Sequence, residues 1–574
     1  MALAYKQLTR QIGRNKIFAS LLLILTILTS LSFFFVIFSI DGNMARLNAL
    51  YTLTENQELY RNALNANTSL AYMFLISTIG LTAFVFVMFF YRFFRSNKRQ
   101  IGCLKALGFR DNSLRLCFVV FVGVLSIVGA VLGLIGGYFL SDVLINDNMQ
   151  TYMVTDLVKE ASLLSLVLGL IIPALIFCIT AFLCYSFVGG KEPGALIAGN
   201  SNHARFSFTL RIANGISRLI PVKNKFPYRI ALRKPLAVTL ILVAVMTFNV
   251  FIILGYSINI SSDRIIESQT IGHNYEYNTR FAEYQINPLP ENAALNSMPY
   301  LESTVELIIG RHEIQQAIFG LHNLNEVFRL QNANGDILPM PDAGMVLINP
   351  FIAEIHGVNI GDTLIANING AEHSFFVSGI ATNAKSATIY VNADELATIL
   401  GVPIGAYNGV LSMERIPGGE TTTRAERAEE LNRNAVSNNI SAVINQTIGG
   451  IVGAILIFLA LYVNFQDNTR DMLILHMMGY RVKNIRKLLI DVYMPIVWAA
   501  FVITLVPSIL LARFIQTSLS MAMGEYMPFG TNGIVILIVF LLLNFVYWLV
   551  QLLFGIGTKR TIAKEEMSEF VYAE

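Results

Sequence analysis

The chain has 574 residues, of which 54% are hydrophobic and only 14% are charged, and its mean hydropathy is +0.57. Soluble globular domains carry roughly 25% charged residues, so this composition excludes an ordinary soluble enzyme. Several stretches of about 20 apolar residues would account for the excess if each crosses a bilayer, and enough chain would remain for one aqueous domain. The composition therefore predicts an integral membrane protein that also carries a sizeable soluble domain.

Eight apolar runs with little or no charge predict eight membrane-spanning helices. The first run follows several basic residues, as in a signal peptide, but it is too long for one and lacks a small-residue cleavage site. We therefore interpret it as a retained anchor. An even number of spans places both termini on the same side. The runs are 17–40, 70–91, 116–140, 161–188, 236–258, 448–465, 488–511 and 534–556.

Basic residues set the predicted orientation, because Lys and Arg are retained in cytoplasmic loops. Seven of them lie between spans two and three, nine between spans four and five, and five between spans six and seven. These loops and both termini are therefore predicted to be cytoplasmic. The predicted domains are a first transmembrane half at 1–190 with a short external insertion at 41–69, a basic cytoplasmic linker at 191–227, an approach helix and fifth span at 228–258, an extracytoplasmic domain at 259–441, spans six to eight at 442–558, and a cytoplasmic tail at 559–574.

The two halves begin alike, with Tyr5-Lys6 before span one and Tyr228-Arg229 before span five. Each pair opens a basic amphipathic stretch, which predicts a helix that approaches the membrane. The insertions that follow the two spans differ greatly in length. In the first half, residues 48–65 of the insertion are predicted to be helical.

A cytoplasmic segment occurs twice, once after span two and once after span six. Residues 99–110 read RQIGCLKALGFR and residues 470–481 read RDMLILHMMGYR, so the copies lie 371 positions apart. Each has a basic start, helical apolar spacing and a Gly-aromatic-Arg end, which predicts a short helix closed by a left-handed glycine. One copy alone would be typical of a basic interfacial helix. Two copies at matching positions favour a docking site for a two-fold symmetric partner.

The spans after these segments carry small residues at every fourth position. Span three has Gly129, Gly133 and Gly137, and the positions 371 residues later are Ala500, Thr504 and Ser508. Small residues at this spacing let helix backbones approach closely in lipid, where apolar surface gives no drive to associate. The pattern predicts helix packing, either within one half of the protein or between the two halves.

The segment 259–441 is strongly acidic, with 21 Asp and Glu against nine Lys and Arg, a net charge of −12. One interpretation is an ordinary solvated domain, since net charge affects solubility and steering rather than fold. The other is that the domain attracts cationic molecules such as basic peptides. All four cysteines lie outside this segment, so no disulfide framework is expected there. The seven histidines show no ligand spacing, so we expect neither a metal site nor a cofactor in this chain.

Strand and helix patterns alternate along 259–441, which predicts a mixed α+β fold. Asn369-Gly370 is a strong hairpin signal between two of the strands. Helices are predicted at 350–356, 393–400 and 422–435, the last running on toward span six as a stalk. The predicted strands are 304–309, 313–319, 345–348, 363–368, 374–380, 388–391 and 407–413.

Several of these strings resemble the FtsX-like permease family, the mechanotransmission or type VII ABC transporters that include macrolide exporters. The resemblance rests on KALGFR at 105–110, the glycine-striped span that follows, Lys191-Glu192-Pro193 after span four, and GDT at 361–363 before the Asn369-Gly370 hairpin and VSGI at 377–380. It implies an α-helical polytopic membrane protein with two four-helix transmembrane halves and one extracytoplasmic α+β domain.

The resemblance also implies that two copies of a separate cytoplasmic ATPase subunit grip one coupling helix on each half. No G-x-x-x-x-G-K-[ST] string occurs in the sequence, so ATP and Mg²⁺ are expected in that partner and the chain itself is not expected to be an enzyme. The spans also lack the central charged residues that ion-coupled transporters need. The residues expected to couple to the ATPase are Arg99, Leu104, Leu107, Gly108, Phe109, Arg470, Leu475, Met478, Gly479 and Tyr480.

The sequence departs from the family pattern in its second half, where His476-Met-Met-Gly replaces Lys105-Ala-Leu-Gly and the glycine stripe becomes Ala, Thr and Ser. Two functions stay open. The first is ATP-driven export or extraction of a lipophilic molecule, an antimicrobial peptide or a lipoprotein at the outer membrane face. The second is signal transduction that switches an external adaptor or cell-wall hydrolase. Membrane lipid is an expected partner and nucleic acid is not.

Overall fold

The computed structural model describes residues 16–197, 235–287, 296–310, 312–322, 324–481, 484–485 and 491–564. The chain divides into two compact units. The helical unit comprises Met1–Leu254, Ile444–Ala512 and Thr531–Glu574, and the sheet unit comprises Gly255–Val443 and Arg513–Gly530. The predicted approach helices, the cytoplasmic tail from 565 and most of the predicted linker lie outside the described residues.

Long apolar helices dominate the helical unit. Seven helices among the described residues are long and apolar enough to cross a membrane, and they coincide with seven of the eight predicted spans. The remaining one, at 70–91, lies within a 42-residue helix whose apolar stretch Leu75–Tyr91 is shorter, and it stays a prediction. The helices are α1 Lys16–Ile37, α2 Asp41–Asn48, α3 Glu55–Ser96, α4 Lys98–Ala106, α5 Asp111–Tyr152, α6 Leu163–Gly189, α7 Pro193–Ile197, α8 Pro235–Thr270, α9 Ala393–Leu400, α10 Arg424–Met477, α11 Tyr493–Met523 and α12 Gly533–Lys564.

Aromatic side chains form the core of the first half. The rings of Phe94 and Phe118 have centroids 4.8 Å apart in an edge-to-face contact, and those of Phe86 and Phe177 are 4.7 Å apart. Such pairs contribute beyond the area they bury. Helices α1, α3, α5 and α6 all supply residues to this buried cluster. The sequence therefore holds the first half together by aromatic packing on several helix faces.

The insertion of the first half differs from the prediction of a helix at 48–65. Residues 49–54 are not helical, and α3 begins only at Glu55. Thr54 and Gln57 cap that start reciprocally, because each side chain accepts the backbone N–H of the other. This Thr-x-x-Gln capping box was readable in the sequence as a helix start.

The second repeated segment also differs from the prediction of a separate short helix. Span six and residues 470–477 form one continuous helix, α10, of 54 residues. In the first half, Asn97 separates α3 from α4. The two copies therefore end in the same way but are joined to their spans differently.

Among the described residues nine strands form one sheet, and six of them close into a ring. β2 pairs with β3 on one side and with β5 on the other, and the order β3-β7-β4-β6-β5 joins those two strands. The remaining strands extend the sheet from the first residues of β2. The strands are β1 Tyr277–Gln285, β2 Ser297–Ile309, β3 His312–Leu321, β4 Met345–Ile348, β5 Thr363–Ile368, β6 Ala371–Ile380, β7 Thr388–Asn392, β8 Tyr407–Ser412 and β9 Glu420–Thr423.

Alternation along these strands produces two cores, one on each face of the sheet. Val305, Ile318 and Val346 belong to the core inside the ring, which α9 also joins. The neighbours Phe319 and Leu347 point to the opposite face, where a second core forms. In an ordinary two-layer fold one face of each strand is polar and exposed to water. In β3, β4 and β7 both faces carry buried apolar residues.

The predicted strands of the sheet unit are all confirmed, and β4, β5 and α9 have the predicted bounds. Asn369 and Gly370 adopt positive φ values of 51° and 85°, as a type I′ hairpin turn requires. The predicted helix at 350–356 is a five-residue π-helical turn, Phe351–Ile355. Two strands were missed, β1 and β9, because β1 mixes charged and apolar residues without clear alternation and β9, with the sequence ETTT, contains no apolar residue.

Candidate functional site

The first repeated segment ends in a Schellman motif. The N–H of Gly108 bonds the carbonyl of Lys105 at 3.0 Å, and the N–H of Phe109 bonds that of Leu104 at 3.2 Å. Gly108 has φ +92°, a left-handed conformation that costs glycine no steric penalty. The predicted glycine cap of this helix is confirmed.

The second segment closes with the same bonds at the same offset. The N–H of Gly479 bonds the carbonyl of His476 at 2.9 Å, and that of Tyr480 bonds the carbonyl of Leu475 at 3.1 Å. Gly479 has φ +86°. The repeat is therefore structural as well as sequential, although the two copies share only some of their residues.

The apolar residues of the two copies are not equally exposed. Leu107 is 77% exposed, whereas Leu104 and Phe109 pack against the core of the first half. Of the three apolar residues expected to couple to the ATPase, Leu107 thus presents the most surface, and the half-buried Leu104 and Phe109 present less. In the second copy Met478 is 68% exposed, Tyr480 is also exposed, and Leu475 is half-buried.

Helix α4 is fixed to the half that carries it. The Lys105 ammonium pairs with Asp111 Oδ1 at 2.5 Å and donates to the backbone carbonyls of Gly189 and Lys191. The hydroxyl of Tyr185 donates to the same carboxylate at 3.0 Å. One carboxylate therefore joins the first repeated segment to the first turn of α5 and the last turn of α6.

The opposite side of α4 lies against α7, the short helix that follows Lys191-Glu192-Pro193. A Cβ on Gly102 would come within 2.9 Å of side-chain atoms of Leu196 and Ile197. Only glycine permits this approach, since real Cβ atoms keep a larger distance from their neighbours. Arg99 is exposed at the start of the same helix.

The second half cannot build this carboxylate junction. The positions 371 residues after Lys105 and Asp111 are His476 and Val482, which form no equivalent ion pair by residue type. Sequence reasoning noted the first change but missed Asp111, although a Lys and an Asp six residues apart across a helix break were a readable signal. The side chain of Arg470 lies outside the described part of its helix.

The small-residue stripe of span three packs within its own half. A Cβ on Gly133 would lie 2.6 Å from the Ile27 carbonyl oxygen, and one on Gly137 would lie 2.7 Å from Phe34 Cβ. Both contacts are with α1, and Gly129 also faces that helix. The question left open by the sequence is thus answered for these three residues, which pack within one half.

The second stripe behaves in the same way with different chemistry. The hydroxyl of Thr504 accepts a hydrogen bond from Asn249 Nδ2 at 3.3 Å, and the Ser508 hydroxyl donates to the Met246 carbonyl at 3.4 Å. Asn249 and Met246 belong to α8, which is the counterpart of α1. Ala500, Thr504 and Ser508 are all buried. Polar bonds here replace the close glycine contacts of the first half.

Residues near the ends of two long helices contact each other in the sheet unit. Helix α8 ends at Thr270 and α10 begins at Arg424. The Arg427 guanidinium lies over the ring of Tyr275 and donates to the His273 carbonyl at 3.3 Å. The sequence predicted the stalk at 422–435 but gave no signal for this cation–π contact.

Among the described residues, no group of three or more His, Cys, Asp or Glu side chains could hold a metal ion. A family model, FtsX-like permease C-terminal, matches residues 72–193 and 447–560. The two matched regions contain both Schellman-capped segments and both small-residue stripes. The match supports the FtsX-like permease family. A comparison with curated proteins finds no match for the sequence.

Proposed function

We propose that the chain is the permease subunit of an ATP-driven mechanotransmission ABC transporter. The match to FtsX-like permease domains in two regions supports a permease that works with a separate ATPase subunit. ATP and Mg²⁺ bind in that subunit, and closing of an ATPase pair moves the two cytoplasmic coupling segments. The observation that carries this proposal is the pair of identical helix ends at Gly108 and Gly479.

Force reaches the sheet unit through continuous helices. Helix α10 has 54 residues, which corresponds to about 80 Å at 1.5 Å per residue. One end carries the second coupling segment and the other end joins β9 directly. Because an unbroken helix resists compression and bending, movement at one end is delivered at the other. No substrate tunnel through the membrane is required.

The excess of Lys and Arg in the alternate loops supports a position of the sheet unit outside the cytoplasm. In a chain whose four cysteines are replaced by serine, a membrane-impermeant thiol reagent should label Asn369→Cys in intact cells. The same reagent should not label Asn214→Cys until the cells are opened. Labelling of the second position alone would reverse the orientation.

One copy of the chain serves two ATPase subunits. It already contains two coupling segments and two small-residue stripes, so it supplies the pseudo-two-fold symmetry that a homodimer of four-span chains would otherwise provide. Native mass spectrometry of the affinity-purified complex should find one 63.8 kDa permease with two copies of the ATPase. A complex with two permeases and two ATPases would contradict this arrangement.

The exposed apolar residues of the coupling segments offer the sharpest test of docking. Leu107→Asp and Met478→Asp place a carboxylate where each segment would be buried by the ATPase, and an unpaired buried charge costs several kcal/mol. Each should abolish stimulated ATP hydrolysis while expression and membrane insertion persist. Ile404→Asp, at an exposed apolar position of the sheet unit, is the matched control. Normal ATPase binding by both coupling variants would show that the segments only lie on the membrane.

The work done by this force is export or extraction of a lipophilic molecule, peptide or lipoprotein at the outer membrane face. The large acidic domain is the feature that favours this role. The alternative is a transducer that switches an external adaptor or a cell-wall hydrolase. Mass spectrometry of bound lipid or peptide separates the two, since a transducer should copurify with a protein and no small cargo.

A further inference from the structure

We propose that a cavity in the sheet unit binds a cationic amphiphile, a molecule with an apolar part and one or more ammonium or guanidinium groups. The cavity has a volume of about 860 Å³, within the range of sites for small ligands. This ligand would be the cargo of the proposed transporter. The inference rests on the proposed function only for the outward orientation of the sheet unit. The wall segments are 264–271, 331–338, 349–354, 378–387 and 525–528, together with Ile360.

The walls are held in place without the help of a ligand. The side-chain amide of Asn383 donates to the backbone carbonyls of Ile271 and Arg329 at 2.8 and 2.7 Å. Its side-chain oxygen Oδ1 accepts the backbone N–H of Gln331 at 2.7 Å. Asn349 is likewise bonded to Thr388 and to the π-helical turn. Because these amides join separate wall segments, the cavity is preformed, and a ligand would not have to order it.

Carboxylates dominate the charge that faces the cavity. Glu267, Glu354 and Glu525 line it, together with the cations Arg264 and Lys385. Glu267 and Glu354 are exposed. Glu525 accepts a hydrogen bond from Ser386 at 2.6 Å, and burial raises the pKa of its carboxyl. The three acids outnumber the two cations even if the Lys385 ammonium is counted as facing the cavity.

Lys385 does not offer its charge to a ligand. Its ammonium lies 5.2 Å from the centre of the Phe319 ring, which belongs to the second core and does not line the cavity. Burial lowers the pKa of this ammonium to about 8, and its charged neighbours include Glu302 and Glu430, which also lie outside the cavity. Only Arg264 therefore opposes the three carboxylates, and the site favours a cation.

Apolar side chains give the same cavity its second character. Ile360 is 63% exposed and Ile271 is also exposed, although both are aliphatic. Phe351, Leu338 and Ile380 also contribute to the apolar lining. An apolar chain placed against these residues would be removed from water, which stabilises binding by about 25 cal/mol per Å². Acidic and apolar groups together match a molecule that carries both a cation and an apolar part.

The position of the cavity along the chain fits a ligand that arrives from a membrane. Most of the wall residues 264–271 belong to the last two turns of α8, which ends at Thr270 and whose apolar stretch precedes them. The wall residues 525–528 begin two residues after the end of α11. Both segments thus follow predicted spans closely in the sequence, because those spans end at 258 and 511.

The test uses the full-length chain in phosphatidylcholine nanodiscs without the ATPase. The probe is lauroyl-tetralysine amide carrying an uncharged fluorophore, and binding is followed by fluorescence anisotropy. The double variant Glu354→Gln/Glu525→Gln should weaken binding by about tenfold, which corresponds to about 1.4 kcal/mol. The control variant Glu313→Gln/Glu372→Gln removes the same charge from exposed strand positions away from the cavity. Because salt screens charges beyond about 10 Å, this control should change the affinity less than about twofold.

Further probes separate the two parts of the ligand. Ile360→Ser should weaken the lauroylated probe but not tetralysine amide alone, and lauroyl-tetraglutamate should not compete. Equal losses in both double variants would show that the acidic unit acts only at a distance. Competition by the anionic probe would also overturn the proposal. So would an unchanged affinity in both double variants, which is expected if phospholipid fills the cavity. Stimulated ATP hydrolysis of the complex is independent of these outcomes, so a failed site and a failed transporter assignment remain distinguishable.

Discussion

The guanidinium carbon of Arg427 lies 3.9 Å from the centre of the Tyr275 ring. Arg427 is in the first turn of α10, and Tyr275 follows the end of α8 by five residues. This contact joins the two chain segments that connect predicted spans to the sheet unit. A cation over a ring face resists separation of the two segments while it tolerates some sliding, because the attraction to the ring face is broad.

Replacement of Arg427 by Met should lower the melting temperature and reduce stimulated ATP hydrolysis. The cation–π contact is worth about 0.5–2 kcal/mol, and the bond to the His273 carbonyl is lost with it. Tyr275→Leu should have the same effect, whereas Tyr275→Phe keeps the ring and should be tolerated. Arg424→Met, an exposed position on the same helix, is the control. Normal hydrolysis in Arg427→Met would remove this contact from the transmission route.

Loss of the ion pair between Lys105 and Asp111 should uncouple the first coupling segment. Side chains of the pair are 9% and 33% exposed, and Lys105→Met would leave a partly buried carboxylate without its main partner, at a cost of roughly 1–3 kcal/mol. We expect weaker stimulation of ATP hydrolysis with the ATPase still bound through the second segment. His476→Met, at the equivalent exposed position, should have little effect. Equal defects in both variants would contradict this asymmetry.

Much of the architecture followed from the sequence because it is governed by periodicity and turn chemistry. Apolar length predicted the spans, and Asn369-Gly370 predicted the hairpin, since both signals are local. The Schellman ends at Gly108 and Gly479 were also predicted, because a glycine after a helical run has one common use. Local patterns of this kind are independent of the rest of the fold.

Contacts between distant residues could not be predicted in this way. Tyr185 and Gly189 reach Lys105 and Asp111 only after three helices have packed, and nothing in the sequence spacing shows it. The partial burial of Leu104 and Phe109 likewise depends on the core that they contact. The cavity of the sheet unit is lined by segments up to 264 positions apart, from Arg264 to Pro528.

Gly133→Leu should destabilise the helical unit strongly. Its Cβ would meet the Ile27 backbone oxygen at 2.6 Å, so α1 and α5 would have to separate, and overpacking of this kind costs about 1–3 kcal/mol or more. Gly80→Leu is the matched control, because nothing lies within 4 Å of a Cβ there. The thermal midpoint of the detergent-solubilised chain, read by size-exclusion chromatography after heating, measures the difference. Equal midpoints would show that the two helices do not pack as described.

Acid should weaken the sheet unit through His273. Burial lowers the pKa of its imidazole to about 3 from 6.5, and Nε2 lies 2.7 Å from the Asn383 carbonyl. Between pH 6.5 and about 3, His273 is protonated in the unfolded chain but neutral in the folded chain. The free energy of unfolding should therefore fall by about 1.4 kcal/mol per pH unit between 6.5 and 3.

The substitution His273→Gln isolates this contribution, because a Gln side chain can still donate to the Asn383 carbonyl but does not titrate. The melting temperature of the variant should depend less steeply on pH over this range than that of the parent chain. His373→Gln, at a partly exposed position on β6, should keep the parental slope. Parallel pH profiles for the parent and His273→Gln would contradict the assignment.

A distance measurement during the ATPase cycle tests the transmission of force most directly. Spin labels at Tyr51 in the helical unit and Ile404 in the sheet unit, both exposed positions, report the separation of the two units by double electron–electron resonance. Trapping of the assembled complex with ATP and vanadate should shift the distance distribution, and the shift should disappear in Leu107→Asp/Met478→Asp. An unchanged distribution in a trapped complex that hydrolyses ATP at its full rate before trapping would contradict mechanotransmission by this chain.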